Sequence, residues 1–128
     1  LRPLQAMLMD GILKTIPKTR LNGDRERRLP NNVNISIMDL EGEALILYLD
    51  AAGIYVSTGS ACTSASLDPS HVILALGMPY EVAHGSIRFS LGRSTTKRDI
   101  IYVLKTLPPL VQKLRSISPV HVDPKYYE

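Results

Sequence analysis

Tryptophan is missing from the 128 residues, phenylalanine occurs once, and there is a single cysteine, Cys62. A lone cysteine cannot close an internal disulfide, and its thiol stays free to react in a reducing compartment such as the cytoplasm or an organellar matrix. Aromatic residues make up 5% of the chain, too few to interleave with basic residues along a nucleic-acid surface, and no recognised nucleic-acid motif is present. No apolar run approaches the length of a bilayer-spanning helix, and Leu1 to Gln5 lack a secretory signal pattern. A soluble protein is expected, with neither nucleic acid nor membrane as a partner.

Charge of one sign is also scarce. The net charge is +3, and its clearest cluster, Arg25, Arg27 and Arg28, is diluted by Asp24 and Glu26. That run reads as a solvated turn, with an acidic protein partner as the other reading. What the chain does have is hydrophobic content of 45%, enough for one domain with a modest core. No internal repeat, low-complexity segment or composition shift divides it. Leu1 already belongs to an amphipathic pattern with no capping signal before it, so it reads as a cut end.

Apolar spacing supplies the elements. Leu4, Leu8 and Ile12, with Leu13 and Ile16 beside them, predict a helix over 1–16 that ends at Pro17. Thr19 to Asn22 is a short strand candidate. Val33, Ile35 and Ile37 alternate with Asn34 and Ser36, as in a strand with one buried face. Glu41 to Ala52 has Ala44, Leu45, Tyr48 and Leu49 at helical spacing, acids in the first turn and Gly53 as a left-handed stop. Ile54 to Ser57 reads as a strand, and Ser70 to Leu76 as a short helix stopped by Gly77 and Pro79. Ile87, Phe89 and Leu91 alternate with Ser86, Arg88 and Ser90, so Arg88 must project from the face away from the core. A last helix opens at Ser94 to Thr96, with a Thr96–Asp99 capping box and a stripe of Ile100, Val103, Leu104 and Leu107. Pro108-Pro109 should break or sharply kink it, a second helix continuing to about Ile117. Residues 119–128 form an irregular tail. Strands near 20, 35, 55 and 88 separated mostly by helices make an α/β fold, a small mixed sheet with helices packed on it.

The segment from Ser57 to Ser70 stands apart, because its small and hydroxylated residues cannot form a packed face around Cys62. Asp68 and Pro69 suit the cap and first position of the helix that follows. Free cysteine usually behaves as a small buried hydrophobe. Here Ser60, Ala61, Thr63 and Ser64 offer it no large apolar partner, and the thiol reads as displayed. An unperturbed thiol near pKa ~8.5 is only a few per cent ionised at neutral pH. His71 is the nearest cation candidate along the chain, although a capping or packing role suits it better.

Four blocks in order carry a resemblance: Leu29-Pro30-Asn31-Asn32-Val33-Asn34-Ile35-Ser36, Glu41-Gly42-Glu43-Ala44-Leu45, Gly59-Ser60-Ala61-Cys62-Thr63-Ser64, and Gly85-Ser86-Ile87-Arg88-Phe89-Ser90-Leu91-Gly92-Arg93. Together they resemble the C-terminal part of pyridoxal-phosphate-dependent cysteine desulfurases of the NifS/IscS type, from the first helix to about Pro119. The resemblance implies that residues 1–128 are the single small C-terminal domain of a fold-type I enzyme, with the cofactor-binding large domain absent from this chain. It implies that L-cysteine gives L-alanine and a persulfide on Cys62, which passes to an iron-sulfur scaffold or another sulfur-acceptor protein. It implies that Arg88 holds the substrate carboxylate, since a guanidinium fork matches a carboxylate bidentately, and that the complete protein is a homodimer.

For Arg93 a solvated or helix-packing role is expected, and for Asn34 a structural hydrogen bond rather than contact with substrate. The chain also departs from the family pattern. The family's Schiff-base lysine sits in a Ser-x-His-Lys context, which none of Lys14, Lys18, Lys97, Lys105, Lys113 or Lys125 has. This chain alone is therefore expected to be inactive. A cofactor-free sulfur carrier, a non-catalytic scaffold-binding domain and a selenocysteine lyase relative are the alternatives. Cys62 could ligate a transient iron-sulfur cluster in part, but one cysteine is no cluster site.

Overall fold

The computed structural model describes residues 1–23, 29–58 and 85–118. The charged turn at 24–28, the Cys62 segment, the expected helix from Ser70 to Leu76 and the tail at 119–128 lie outside the described residues. Helix α1 spans Arg2–Thr15, β1 Thr19–Leu21, β2 Asn32–Ile37, α2 Gly42–Ala51, β3 Ser86–Ser90 and α3 Lys97–Ile117.

The three strands form one sheet in the order β1-β2-β3. The expected mixed sheet is antiparallel at every described pairing, with Leu21 opposite Ile35, and Ile35 opposite Ile87. That register places Val33, Ile35, Ile37, Ile87 and Phe89 on one face, all buried in a single core with Leu8 and Ile12 of α1 and Leu45 and Leu49 of α2. Helices α1 and α2 pack on the sheet, and α3 packs on both helices. Gly11 lets α1 and α3 come close, since a Cβ there would sit 2.5 Å from a methyl carbon of Leu104.

Local chemistry sets the ends of the elements. Thr96 accepts from the Asp99 amide while the Asp99 carboxylate accepts from the Thr96 amide, so the capping box expected for α3 is formed. Gly53 follows α2 at φ +83°, the left-handed conformation that terminates the helix. Gln5 lies on the buried face of α1, 2% exposed. Its Nε2 donates to the carbonyls of Leu29 and Asn32, both at 2.7 Å, which ties α1 to the turn that launches β2.

Two expectations change. Pro108 and Pro109 do not break α3, which is continuous from Lys97 to Ile117. An interior proline costs roughly 3 kcal/mol, but its fixed φ is itself helical. Leu107, Val111 and Leu114 are buried on the same stripe as Ile100, and each contributes about 1.5–3 kcal/mol. Burial of that size keeps the second half of the helix on the core. The strand expected over Ile54 to Ser57 reduces to one antiparallel bridge, Ser57 with Arg88. Upstream of Ser57 the chain diverges from β3, and a cavity of about 190 Å³ opens between Gly53 to Val56 and the Phe89 to Leu91 end of the strand.

A polar clasp holds the opposite edge. Lys18 and Asp39 both adopt positive φ, 57° and 63°. Their side chains pair at 3.0 Å across the two turns. From α3, Arg115 donates Nε to the Met38 carbonyl and Nη2 to the Lys18 carbonyl, each at 3.0 Å.

Candidate active site

The candidate site is the face of β2 and β3 that the core does not use. Alternation along β3 turns Ser86, Arg88 and Ser90 away from Ile87 and Phe89, and register places them opposite Ser36, Asn34 and Asn32 of β2. Arg88 is held on both sides. Its amide donates to the Ser57 carbonyl at 2.6 Å, and its carbonyl accepts from the Ser57 amide at 3.2 Å. Both backbone groups of Arg88 thus point toward Ser57, so the pair it makes with Asn34 is of the non-hydrogen-bonded kind. In such pairs the Cα atoms approach to about 4.5 Å and the side chains lie closest.

Gly85 sets where this strand begins. A Cβ at that position would overlap the Ile37 carbonyl oxygen, while the Gly85 carbonyl accepts from the Ile37 amide at 3.0 Å. Only glycine permits that approach, and the approach positions Ser86 and Arg88 along β2.

Two buried polar atoms on this face have no hydrogen-bond partner, Arg88 Nε and Ser86 Oγ. A buried donor left without an acceptor costs about 1–3 kcal/mol, more when it is charged. On one strand face, two residues apart, these orphans are groups that the acceptor atoms of a ligand would satisfy. Beside them the Asn22 amide bridges β1 to β2, its Nδ2 lying 3.1 Å from Asn34 Oδ1 and 2.9 Å from Ser36 Oγ. Asn34 thus makes the structural hydrogen bond expected of it.

Of the other residues singled out from sequence, Arg93 is exposed in the turn after β3, and Cys62 and His71 lie outside the described residues. Connectivity still relates Cys62 to Arg88, because Cys62 follows the Arg88-paired Ser57 by five positions. Five residues span at most about 18 Å. Among the described residues no group of three or more His, Cys, Asp or Glu could hold a metal ion, and no helix is long and apolar enough to cross a membrane. Sequence reasoning missed the Asn22 bridge and the orphaned Ser86. The usable signal was the alternation itself, which puts Ser86 two positions before Arg88 on the same face.

Comparison with known proteins matches residues 2–103 to the family described as Aminotransferase class-V. The chain is 55% identical over 122 residues to a cysteine desulfurase IscS of Clostridium botulinum, an alignment covering 94% of this chain and 31% of that protein. It is likewise 55% identical over 124 residues to a cysteine desulfurase IscS of Methanosarcina thermophila, covering 97% of this chain and 30% of that protein. The chain spans about a third of the length of these curated relatives. Among solved structures, a NifS-like protein superposes with a TM-score of 0.73 at 27% identity, covering 88% of this chain and 27% of that one. A NifS-like protein of Rickettsia africae superposes with a TM-score of 0.72 at 29% identity, covering 87% and 28%.

Proposed function

The chain belongs to the class-V aminotransferase family, and from that membership we propose that the complete protein is a pyridoxal-phosphate-dependent cysteine desulfurase, with residues 1–128 as its small C-terminal domain. Identity of 55% to two named cysteine desulfurases across nearly the whole chain supports the reaction. One observation in this chain carries it to a residue: Arg88 Nε is buried without an acceptor on a polar strand face. A guanidinium so placed complements the carboxylate of an amino-acid substrate.

Class-V membership implies pyridoxal phosphate, but the described residues do not fit the cofactor itself. A Schiff-base lysine has to be desolvated to work as a nucleophile. Lys14, Lys97, Lys105 and Lys113 are exposed, and Lys18 is exposed and paired with Asp39. The cofactor is therefore assigned to the two thirds of the protein that the relatives have beyond this alignment.

In the proposed reaction L-cysteine and the Cys62 thiol become L-alanine and a Cys62 persulfide. The substrate carbon–sulfur bond breaks and a sulfur–sulfur bond forms at Cys62 Sγ. The proton given up by the thiol balances the one gained by the alanine methyl group. Arg88 holds the carboxylate, while Cys62, on a segment of small residues tethered at Ser57, takes the sulfur onward. A sulfur-acceptor protein then receives it, and the reducing cytoplasm is the compartment that suits a persulfide carrier. The complete protein is proposed to be a homodimer.

Incubating the complete protein with sulfur-labelled L-cysteine is expected to give stoichiometric alanine and label on Cys62. Cys62→Ser should abolish the label. Label that survives Cys62→Ser, or turnover without alanine, overturns the reading; label on Cys62 obtained only with a separate desulfurase present favours a carrier instead. The 128-residue chain alone is expected to lose pyridoxal phosphate on dialysis and to release no sulfide. Retained visible absorbance would contradict that assignment.

A further inference from the structure

We propose that Asn34 is a second carboxylate-binding residue, its side-chain amide nitrogen standing beside the Arg88 guanidinium to receive the same substrate carboxylate. This rests on the carboxylate role proposed for Arg88.

Register and hydrogen bonding carry the inference together. Asn34 is the direct cross-strand partner of Arg88. The Arg88 backbone bonds to Ser57, and the Asn34 carbonyl accepts from the Asn22 amide at 2.9 Å. Both residues therefore turn their backbone groups away from one another. That is the arrangement in which antiparallel side chains lie closest, and it puts the two polar ends on one face. Asn22 then decides which end of the Asn34 amide is available. Its Nδ2 occupies Asn34 Oδ1 at 3.1 Å while also donating to Ser36 Oγ at 2.9 Å. With the oxygen taken, the nitrogen of Asn34 is left as a donor, and it makes no hydrogen bond among the described residues. Its cross-strand partner Arg88 likewise carries an unpaired donor, the buried Nε.

A carboxylate offers about four acceptor sites on two oxygens. A guanidinium fork fills two in one plane, and a fixed amide N–H beside the fork adds a third with no further charge to desolvate. Asn22 thereby acts as a positioning residue, holding the Asn34 amide in the orientation that donates.

The experiment compares Asn34→Ala, Asn34→Asp and Arg88→Met in the complete protein by KM and kcat for L-cysteine, with thermal unfolding of each variant. Asn34→Ala is the diagnostic change, since it removes the donor without adding charge. Asn34→Asp keeps an oxygen for Asn22 and puts a second carboxylate oxygen where the donor was, which pairs with Arg88 and repels substrate. Asn34→Ala is expected to raise KM roughly 10-fold or more, the lower end for one lost hydrogen bond to a charged group. Asn34→Asp should raise KM by on the order of 100-fold, with an unfolding temperature at or above that of the parent. A merely structural Asn34 would leave KM unchanged in Asn34→Ala, while Asn34→Asp would still raise it by pairing with Arg88. An unchanged KM in Asn34→Ala while Arg88→Met raises it overturns this proposal alone. An unchanged KM in Arg88→Met overturns the carboxylate role of Arg88 and this proposal with it.

Discussion

Replacing Arg88 with methionine should make the domain more stable while weakening substrate binding, and the opposite signs separate a ligand-binding arginine from a structural one. Methionine keeps an unbranched stem of similar reach, so the packing of the side chain along the sheet is retained. What it removes is Nε, buried with no acceptor in the free protein. Leaving such a donor unmade costs about 1–3 kcal/mol. Part of this returns as stability in Arg88→Met, about 1 kcal/mol or more, which corresponds to an unfolding temperature higher by roughly 3–6 °C for a chain of this size. Far-ultraviolet circular dichroism during urea and thermal unfolding is the suitable assay for this chain, which contains no tryptophan. In the complete protein the same variant loses a charge-assisted pair worth about 1.5–3 kcal/mol, a KM raised roughly 10- to 150-fold. A loss of stability of 1 kcal/mol or more in Arg88→Met would refute the reasoning, because the guanidinium would then be holding the fold together.

Arg115→Ala removes the donors to the Met38 and Lys18 carbonyls and should destabilise the chain by about 2 kcal/mol in urea titration. No measurable change would mean that the clasp adds nothing to the Lys18–Asp39 pair. Pro109, exposed on α3, can be replaced by alanine with little loss of packing; Pro109→Ala restores a helical donor and should stabilise by up to about 3 kcal/mol. A lower melting temperature there would show that α3 depends on the proline conformation. Gly85→Ala drives a Cβ into the Ile37 carbonyl, should cost about 1–3 kcal/mol, and should raise KM in the complete protein by displacing Arg88. Parental stability and KM together would dismiss the close approach as the reason for glycine.

Much of the architecture was legible because it is written in local periods. The two-residue alternation of Val33, Ile35 and Ile37 and of Ile87 and Phe89 identified β2, β3 and the outward face of Arg88. The three-residue spacing of Thr96 and Asp99 identified the start of α3. Pro108-Pro109 misled because proline chemistry is local, whereas the burial of Leu107, Val111 and Leu114 that holds the helix together is tertiary. Ile54 to Ser57 misled for a related reason. Its β-branched residues fit a strand, but pairing needs a neighbour, and only Ser57 comes within reach of β3.

By itself the sequence determined which residues face inward, where helices are capped, and that a free thiol lies among small side chains, since each of these follows from neighbours within a few positions along the chain. The tertiary structure decided that Asn34 stands opposite Arg88, that Asn22 occupies one end of its amide, and that Gln5 and Arg115 close distant turns. Those contacts join residues far apart in sequence, and register and backbone direction exist only once the strands have paired.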